Sequence, residues 1–225
     1  MLRLFPTMLL CSTIFLTACN SQSENVNPIR QENSTPESAS AEQTEDNRLQ
    51  AGALKIGDKL PDFTLKTLEG ESIQLSSLFD GESIVAVIWH SPACPCAANC
   101  LSAVREDLTS EKYKRLKILG VASDSQQATE WFTTDLQSQK ESGMLTFPVV
   151  FDTDQAVMKA YGAKRTPTVY LADEQGILRF WGAPENTLFP GSEGHRSLIT
   201  ESVDAVLAKK TPDPQTYPSI GCLIE

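Results

Sequence analysis

The fold is decided by residues 83–100, which read Ser83-Ile84-Val85-Ala86-Val87-Ile88-Trp89-His90-Ser91-Pro92-Ala93-Cys94-Pro95-Cys96-Ala97-Ala98-Asn99-Cys100. The first seven residues are nearly all apolar and rich in β-branched side chains, which is typical of a strand buried on both faces. Pro95 suits the first turn of a helix, where its missing N–H costs nothing, and apolar residues then recur at helical spacing as far as Leu108. Three cysteines are therefore predicted to lie at a strand-to-helix junction.

Outward from this stretch, strands and helices alternate. Further strands are predicted at residues 116–122, 147–151, 168–171 and 177–181, and helices at residues 126–139, 154–160 and 196–208. Asp154 is predicted to cap the second of these helices, and Asp173-Glu174-Gln175-Gly176 to turn one strand back as a hairpin. This order predicts an α/β fold with a mixed central sheet and helices on both faces.

The beginning of the chain predicts export. Arg3 precedes an apolar run over residues 4–16 that is too short to span a membrane. The following Leu16-Thr17-Ala18-Cys19 resembles the lipobox of bacterial lipoproteins, which implies removal of residues 1–18 and lipid attachment at Cys19. An ordinary cleaved signal is the alternative. Asn20 follows the cysteine, so we expect a membrane-anchored lipoprotein that faces the periplasm from the outer membrane.

The remaining chain divides into a tether and one domain. Residues 19–50 are rich in Ser, Gln, Glu and Asn, lack aromatic residues and cannot bury enough surface to order themselves. Residues 51–225 suffice for one sizeable core. The formal net charge of -10 argues against nucleic acid as a partner.

The cysteines indicate redox or metal chemistry. Of six, Cys11 leaves with the signal and Cys19 would be lipidated. The other four would stand in an oxidising compartment, and they are Cys94, Cys96, Cys100 and Cys222. Structural disulfides usually close long loops, whereas three of these cysteines lie within seven residues.

Position singles out Cys94 as the nucleophile. At a helix N-terminus its thiolate would meet unpaired N–H groups and the positive end of the helix dipole, which lowers a thiol pKa. A protonated His90 would lower this pKa further, although a passive surface role for His90 is equally open.

Helix geometry limits the partner of Cys94. Cys100 would lie about 9 Å further along the axis, too far for a disulfide without unwinding. A bridge between Cys96 and Cys100 is within distance but strained. Cys94 and Cys96 can join in a tight, reducible ring, which makes Cys96 the preferred partner. Cys222 is a second candidate resolving cysteine, with a structural or spare thiol as its alternative.

These features together resemble the thioredoxin-like superfamily, and within it the AhpC/TSA redoxin and peroxiredoxin-like branch. The resemblance covers residues 54–225 and rests on residues 56–65, the strand with its cysteine motif, residues 161–167 and residues 171–176. Residues 218–224 also look like the tail of one peroxiredoxin-like subgroup. The resemblance implies a thioredoxin-like fold, with a cis peptide at Thr166-Pro167 facing the active cysteine. It also implies that the Thr166 backbone pairs with an extended substrate.

Two features depart from peroxiredoxins. Counting back from Cys94, Ser91 stands where those proteins have Thr or Ser, but Val87 stands where they have proline. Arg165 lies one residue before the place of the arginine that they hold against the thiolate. Both differences argue against efficient peroxide reduction.

The sequence therefore predicts thiol-disulfide exchange without a cofactor, in which Cys94 attacks, Cys96 resolves, and Cys100 or Cys222 acts as a relay. Protein or small-molecule thiols and disulfides would be substrates, and a redox protein would be a partner. Two alternatives remain open. A thiol peroxidase would use Cys94 as a sulfenic acid, and a copper or zinc carrier would use the cysteine cluster with His90. His195, the other histidine, precedes the last predicted helix in a setting unlike that of known copper chaperones.

Overall fold

The structure is a computed structural model that describes residues 54–189 and 191–225. The strands are β1 Thr64–Thr67, β2 Ser72–Gln74, β3 Ile84–Trp89, β4 Leu116–Ala122, β5 Val149–Phe151, β6 Arg165–Thr166, β7 Thr168–Ala172, β8 Leu178–Gly182 and β9 Cys222–Leu223. The helices are α1 Pro95–Asp107, α2 Glu130–Glu141, α3 Ala156–Tyr161 and α4 Leu198–Leu207. The predicted signal, the tether and Cys19 lie outside the described residues. None of the helices in the described ranges is long and apolar enough to cross a membrane.

Seven strands form one mixed sheet in the order β2-β1-β5-β4-β3-β7-β8. β3 pairs in parallel with β4, and β4 in parallel with β5, whereas β7, β8, β1 and β2 join antiparallel. β6 and β9 form a separate antiparallel ribbon. The predicted α/β architecture with a mixed sheet is confirmed.

Strand β3 is buried on both faces, as its composition predicts. Ile84, Ala86 and Ile88 belong to a core that also contains Leu101 of α1, Phe132 of α2 and Ile199 of α4. The alternate residues Val85, Val87 and Trp89 belong to a second core on the other face, which includes Val157 and Tyr161 of α3. Because side chains alternate along a strand, this one element connects both halves of the interior.

The three helices after α1 begin later than predicted, at residues 130, 156 and 198. Residues 126–129 form a turn, in which the buried Gln127 side chain donates to the Asp152 carbonyl, and α2 begins at Glu130. Asp154 was predicted to cap the next helix, and the structure adds a second capping residue. The Asp154 carboxylate accepts from Ala156 N–H, but the buried Asp152 carboxylate accepts from the next two N–H groups, at 3.1 Å and 2.8 Å.

After α4 the chain returns along the sheet and ends at the strand-to-helix junction. Thr216 bridges to Trp181, and Gly182 permits the close passage of residue 217, because a Cβ there would lie 2.1 Å from the Tyr217 carbonyl oxygen. β9 then pairs with β6. The sequence pattern did not predict either of these two-residue strands.

Replacing Leu101 by alanine should destabilise the fold by about 2–5 kcal/mol, since the side chain is 1% exposed and the cavity cannot fully collapse. Urea denaturation would measure the loss. Ser102→Ala on the same helix is the control and should stay within about 0.5 kcal/mol of the unmodified protein. Equal stabilities for the two variants would contradict this account of the core.

Candidate active site

Cys94 lies where β3 gives way to α1. It is the N-cap residue of α1, with Pro95 in the first helical position, as predicted. Its thiol is 3% exposed and donates a hydrogen bond to the Thr166 carbonyl oxygen at 3.0 Å. The Thr166-Pro167 peptide bond is cis, as the resemblance implied. The structure thus brings Cys94, Thr166 and Pro167 together.

Cys222 reaches the same place from the other end of the chain. In the β6–β9 ribbon, Cys222 is the register partner of Thr166, the residue that accepts the Cys94 hydrogen bond. The preceding Gly221 makes this approach feasible. A Cβ at Gly221 would lie 2.0 Å from the Thr166 carbonyl oxygen, and the φ of +151° is one that L side chains rarely adopt.

The surroundings lower the pKa of Cys94. Burial alone would raise this pKa, but the Cys222 thiol stabilises the thiolate by hydrogen bonding, and the Cys222 and Ala97 N–H groups add to the effect. From the sequence, the lowered pKa of Cys94 was expected to come from the N-terminus of α1. In the structure Cys222 contributes more than Ala97, the helical N–H group.

The two neighbouring thiols shift in the opposite direction. Burial raises the pKa of Cys96, and a negative charge on Cys94 raises it further. Hydrogen bonding to Cys94 and then burial raise the pKa of Cys222 to about 12. Cys94, Cys96 and Cys222 therefore form a thiol cluster in which Cys94 ionises first.

Cys100 has a different environment. Its side chain is 1% exposed and packs in the core with Leu101 and Val104. Burial raises its pKa to about 12, and the charge of Glu185 contributes. The structure therefore separates Cys100 from the thiol cluster by environment, although all three cysteines of the motif are close in sequence.

His90 is not a source of positive charge near neutral pH. The ring is buried and shares a 3.1 Å hydrogen bond with Gln139 Oε1. Burial lowers the pKa of His90 to about 4. The suggestion that a protonated His90 activates Cys94 is therefore wrong at neutral pH.

Sequence reasoning missed Glu185. This carboxyl is 6% exposed, follows β8, and lines a small cavity together with Cys96 and Ile220. Burial raises its pKa, and Oε2 lies 2.5 Å from His195 Nε2. Glu185 thus places an acidic group of raised pKa in the cavity that Cys96 also lines. No local pattern around Glu185 signals this position, because β8 and α4 bring it there.

Charged and metal-binding groups give little support to the two alternative chemistries. The Arg165 guanidinium donates to the Gly221 carbonyl oxygen at 2.9 Å and thereby holds the tail. Within residues 54–189 and 191–225, no group of three or more His, Cys, Asp or Glu side chains is arranged to hold a metal ion. The metal-carrier interpretation stays a prediction from the sequence.

A known protein family matches the part of the chain that contains Cys94 and Thr166. The model described as the AhpC/TSA family matches residues 56–181, more than half of the chain. The chain belongs to the AhpC/TSA family.

Curated relatives of this AhpC/TSA protein carry redox names. The thioredoxin-like protein YneN of Bacillus subtilis is 30% identical over 128 residues, covering 56% of this chain and 70% of YneN. The thiol-disulfide oxidoreductase ResA of Bacillus thuringiensis is 28% identical over 123 residues, covering 55% of this chain and 66% of ResA. A putative peroxiredoxin of Mycobacterium tuberculosis is 25% identical over 126 residues, covering 56% of this chain and 75% of that protein.

A solved structure of similar shape is a hypothetical protein from Sinorhizobium meliloti, with a TM-score of 0.66 and 26% identity over 77% of this chain and 95% of that one. These comparisons confirm the thioredoxin-like redoxin family and fold that the sequence implied. This AhpC/TSA protein is an oxidoreductase, and its relatives' names connect it with thiol and disulfide chemistry.

Removing the Cys222 thiol should raise the pKa of Cys94, because its hydrogen bond is the strongest influence that lowers this pKa. In Cys222→Ala, the rate of Cys94 alkylation by iodoacetamide should reach its half-maximal value at higher pH than in the unmodified protein. Tandem mass spectrometry would assign the label to Cys94. Leu223→Ala, next in the chain and 58% exposed, is the matched control and should leave the midpoint unchanged. A midpoint that also stays in place in Cys222→Ala would refute the interaction.

Proposed function

We propose that this protein is a lipid-anchored, extracytoplasmic thiol-disulfide oxidoreductase that works through the Cys94-Pro95-Cys96 segment of its cysteine motif. The observation that carries the proposal is the thiol cluster itself. Cys94 has a lowered pKa, whereas Cys96 and Cys222 beside it have raised ones. One thiolate with adjacent thiols is the arrangement that disulfide exchange needs.

The exchange has two balanced steps. The Cys94 thiolate attacks one sulfur of a substrate disulfide, and the other substrate sulfur leaves as a thiolate and takes up a proton. Cys96, once deprotonated, then attacks the Cys94 sulfur, which forms the Cys94–Cys96 disulfide and releases the second substrate thiol. The substrate gains two electrons and the protein loses two. The same steps in reverse oxidise a substrate dithiol.

Positions around the cluster give the remaining residues their proposed roles. The Thr166 backbone and Pro167 would contact the substrate, and Glu185 would exchange protons at the Cys96 side. Cys222 suits the predicted relay better than Cys100, because Cys222 contacts Cys94 whereas Cys100 is enclosed in the core.

Peroxide reduction is the second candidate, favoured by the peroxiredoxin relative. Cys94 would attack a peroxide oxygen and become a sulfenic acid, which a second thiol would convert into a disulfide with loss of water. Peroxiredoxins hold an arginine against the thiolate, whereas the nearby Arg165 donates to the Gly221 carbonyl oxygen. This difference favours disulfide exchange.

Cys94→Ser should reduce exchange with a model disulfide by about 100-fold or more, because serine is a far weaker nucleophile at neutral pH. The assay follows disulfide reduction and hydrogen peroxide consumption by the same pre-reduced protein. The control Ser102→Ala should keep the unmodified rates. Undiminished exchange in Cys94→Ser would overturn the assignment, and faster peroxide than disulfide turnover would favour the peroxidase.

Location forms a separate part of the proposal and rests on residues 1–19. We infer that Cys19 carries the lipid and that residues 19–50 link it to the redox domain, which works outside the cytoplasm, facing the periplasm. The Cys19 position within Leu16-Thr17-Ala18-Cys19 supports this inference.

Cys19→Ser should abolish acylation and leave the domain unattached. Metabolic labelling with palmitate and detergent phase partitioning of cell fractions would detect the change. Cys11→Ser, within the predicted signal, is the matched control and should remain acylated. Acylation that persists in Cys19→Ser would disprove the anchor without affecting the redox assignment.

A further inference from the structure

The proposed nucleophile is covered by the protein's own tail. Cys94 is 3% exposed, and its sulfur contacts both Thr166 and Cys222 of the tail. A substrate disulfide must reach the Cys94 sulfur to react. Whatever binds there must therefore first replace the contacts that Cys222 makes.

The tail, residues 218–225, is held largely by contacts to its backbone. Ile224 N–H donates to the Lys164 carbonyl oxygen at 3.0 Å, and the Gly221 carbonyl oxygen accepts from Arg165 at 2.9 Å. The Glu225 backbone oxygen accepts from Ser125 N–H at 2.6 Å. Backbone hydrogen bonds carry little sequence information, so a strand from another polypeptide can make the same contacts.

Some features of the tail do depend on side-chain identity. The buried Ser219 hydroxyl accepts a 2.8 Å hydrogen bond from Thr168 Oγ1, and two further features lie at Thr166. Gly221 has no Cβ, and any larger residue would collide with the Thr166 carbonyl oxygen. Cys222 follows at the position opposite Thr166 and contacts Cys94. The edge of β6 thus accommodates an extended strand in which glycine is followed directly by cysteine.

We propose that the tail is an internal substrate strand, and that the β6 edge also binds, from partner proteins, extended segments in which glycine precedes the reactive cysteine. This inference rests on the proposed exchange reaction and names its substrate class. The tail and the partner strand compete for one edge. Partner access therefore requires release of a segment whose only strand, β9, spans two residues, and such short segments open locally at little cost.

The same geometry gives Cys222 a covalent role. After a substrate disulfide has oxidised Cys94 and Cys96, the deprotonated Cys222 attacks the Cys94 sulfur. The Cys94–Cys222 bond forms, the Cys94–Cys96 bond breaks, and Cys96 leaves as a thiolate that takes up the proton lost by Cys222. This step consumes no oxidant or reductant, and it locks the tail onto the β6 edge in the oxidised protein.

The substrate class can be tested with two peptides and the full-length reduced protein. The peptides Ile-Gly-Cys-Leu-Ile and Ile-Ala-Cys-Leu-Ile are each supplied as the mixed disulfide with thionitrobenzoate, whose release is coloured. The glycine peptide should react at least about 10-fold faster, because the alanine Cβ would meet the Thr166 carbonyl oxygen. Equal rates would overturn the proposed specificity. No reaction with either peptide would instead refute the proposed exchange function.

Release of the tail can be tested with Gly221→Ala. The control is Gly70→Ala, whose φ of +86° also lies in the range that L side chains rarely adopt, while its Cβ meets nothing within 4 Å. The measured quantity is the ratio of Cys94 labelling rates with a polyethylene-glycol maleimide and with N-ethylmaleimide, since the thiolate fraction cancels in this ratio. Gly221→Ala should raise the ratio by about 10-fold or more and Gly70→Ala should not. Equal ratios would show that the tail does not limit access.

The covalent step can be tested by peptide mapping of the protein oxidised with diamide. The expected product contains a Cys94–Cys222 disulfide in the unmodified protein and much less of it in Gly221→Ala. Arg165→Ala, which removes one backbone contact of the tail without adding a Cβ at residue 221, should decrease the yield as well. A map with Cys94–Cys96 as the exclusive disulfide would overturn the relay while leaving the exchange reaction intact.

Discussion

Double-sided burial of β3 is the constraint on which the rest of the structure depends. Its alternate side chains enter two separate cores, so the strand can neither slide nor rotate without exposing apolar surface on one of them. The chain leaves this rigid strand at Trp89, and Pro95 starts α1 six residues later. The position of Cys94 follows from the packing of the strand before it and the helix after it.

A second constraint is the crowding around the Thr166 carbonyl oxygen. This one atom accepts a hydrogen bond from the Cys94 thiol and lies against Gly221 of the tail. The two contacts bring Cys222 and Cys94 together. The hydrogen bond between these two thiols then separates their acidities, because a bond that stabilises the Cys94 thiolate disfavours loss of the Cys222 proton that makes it. The reactivity of Cys94 is therefore a property of the assembled cluster more than of the helix terminus.

The region that matches the family and the tail are different parts of the chain. The AhpC/TSA match ends at residue 181, whereas the thiol that contacts Cys94 is at residue 222. The sheet, the cis peptide and Cys94 belong to the matched region. Cys222, Gly221 and their contacts lie beyond it, so the family match does not account for the feature that covers the nucleophile.

Local sequence was sufficient to predict the elements whose formation depends on adjacent residues. The continuous apolar run of β3, the proline at the start of α1 and the place of Cys94 between them were all predicted from adjacent residues. The predicted start of α2 was wrong where a distant group intervenes, because the Gln127 side chain donates to the Asp152 carbonyl oxygen and the helix begins only at Glu130. Burial of His90 and Cys100 also escaped prediction, since flanking residues do not reveal which neighbours pack over them.

The sequence by itself determined the fold class, the family resemblance and Cys94 as the leading nucleophile, because these depend on local patterns and on their order along the chain. Only the tertiary structure decided that Cys222 contacts Cys94, that His90 is neutral and that Glu185 and Cys96 line one cavity. Residues 94 and 222 are separated by most of the domain, and their contact depends on β9 pairing with β6. A two-residue strand has too little local pattern to be recognised before its partner is known.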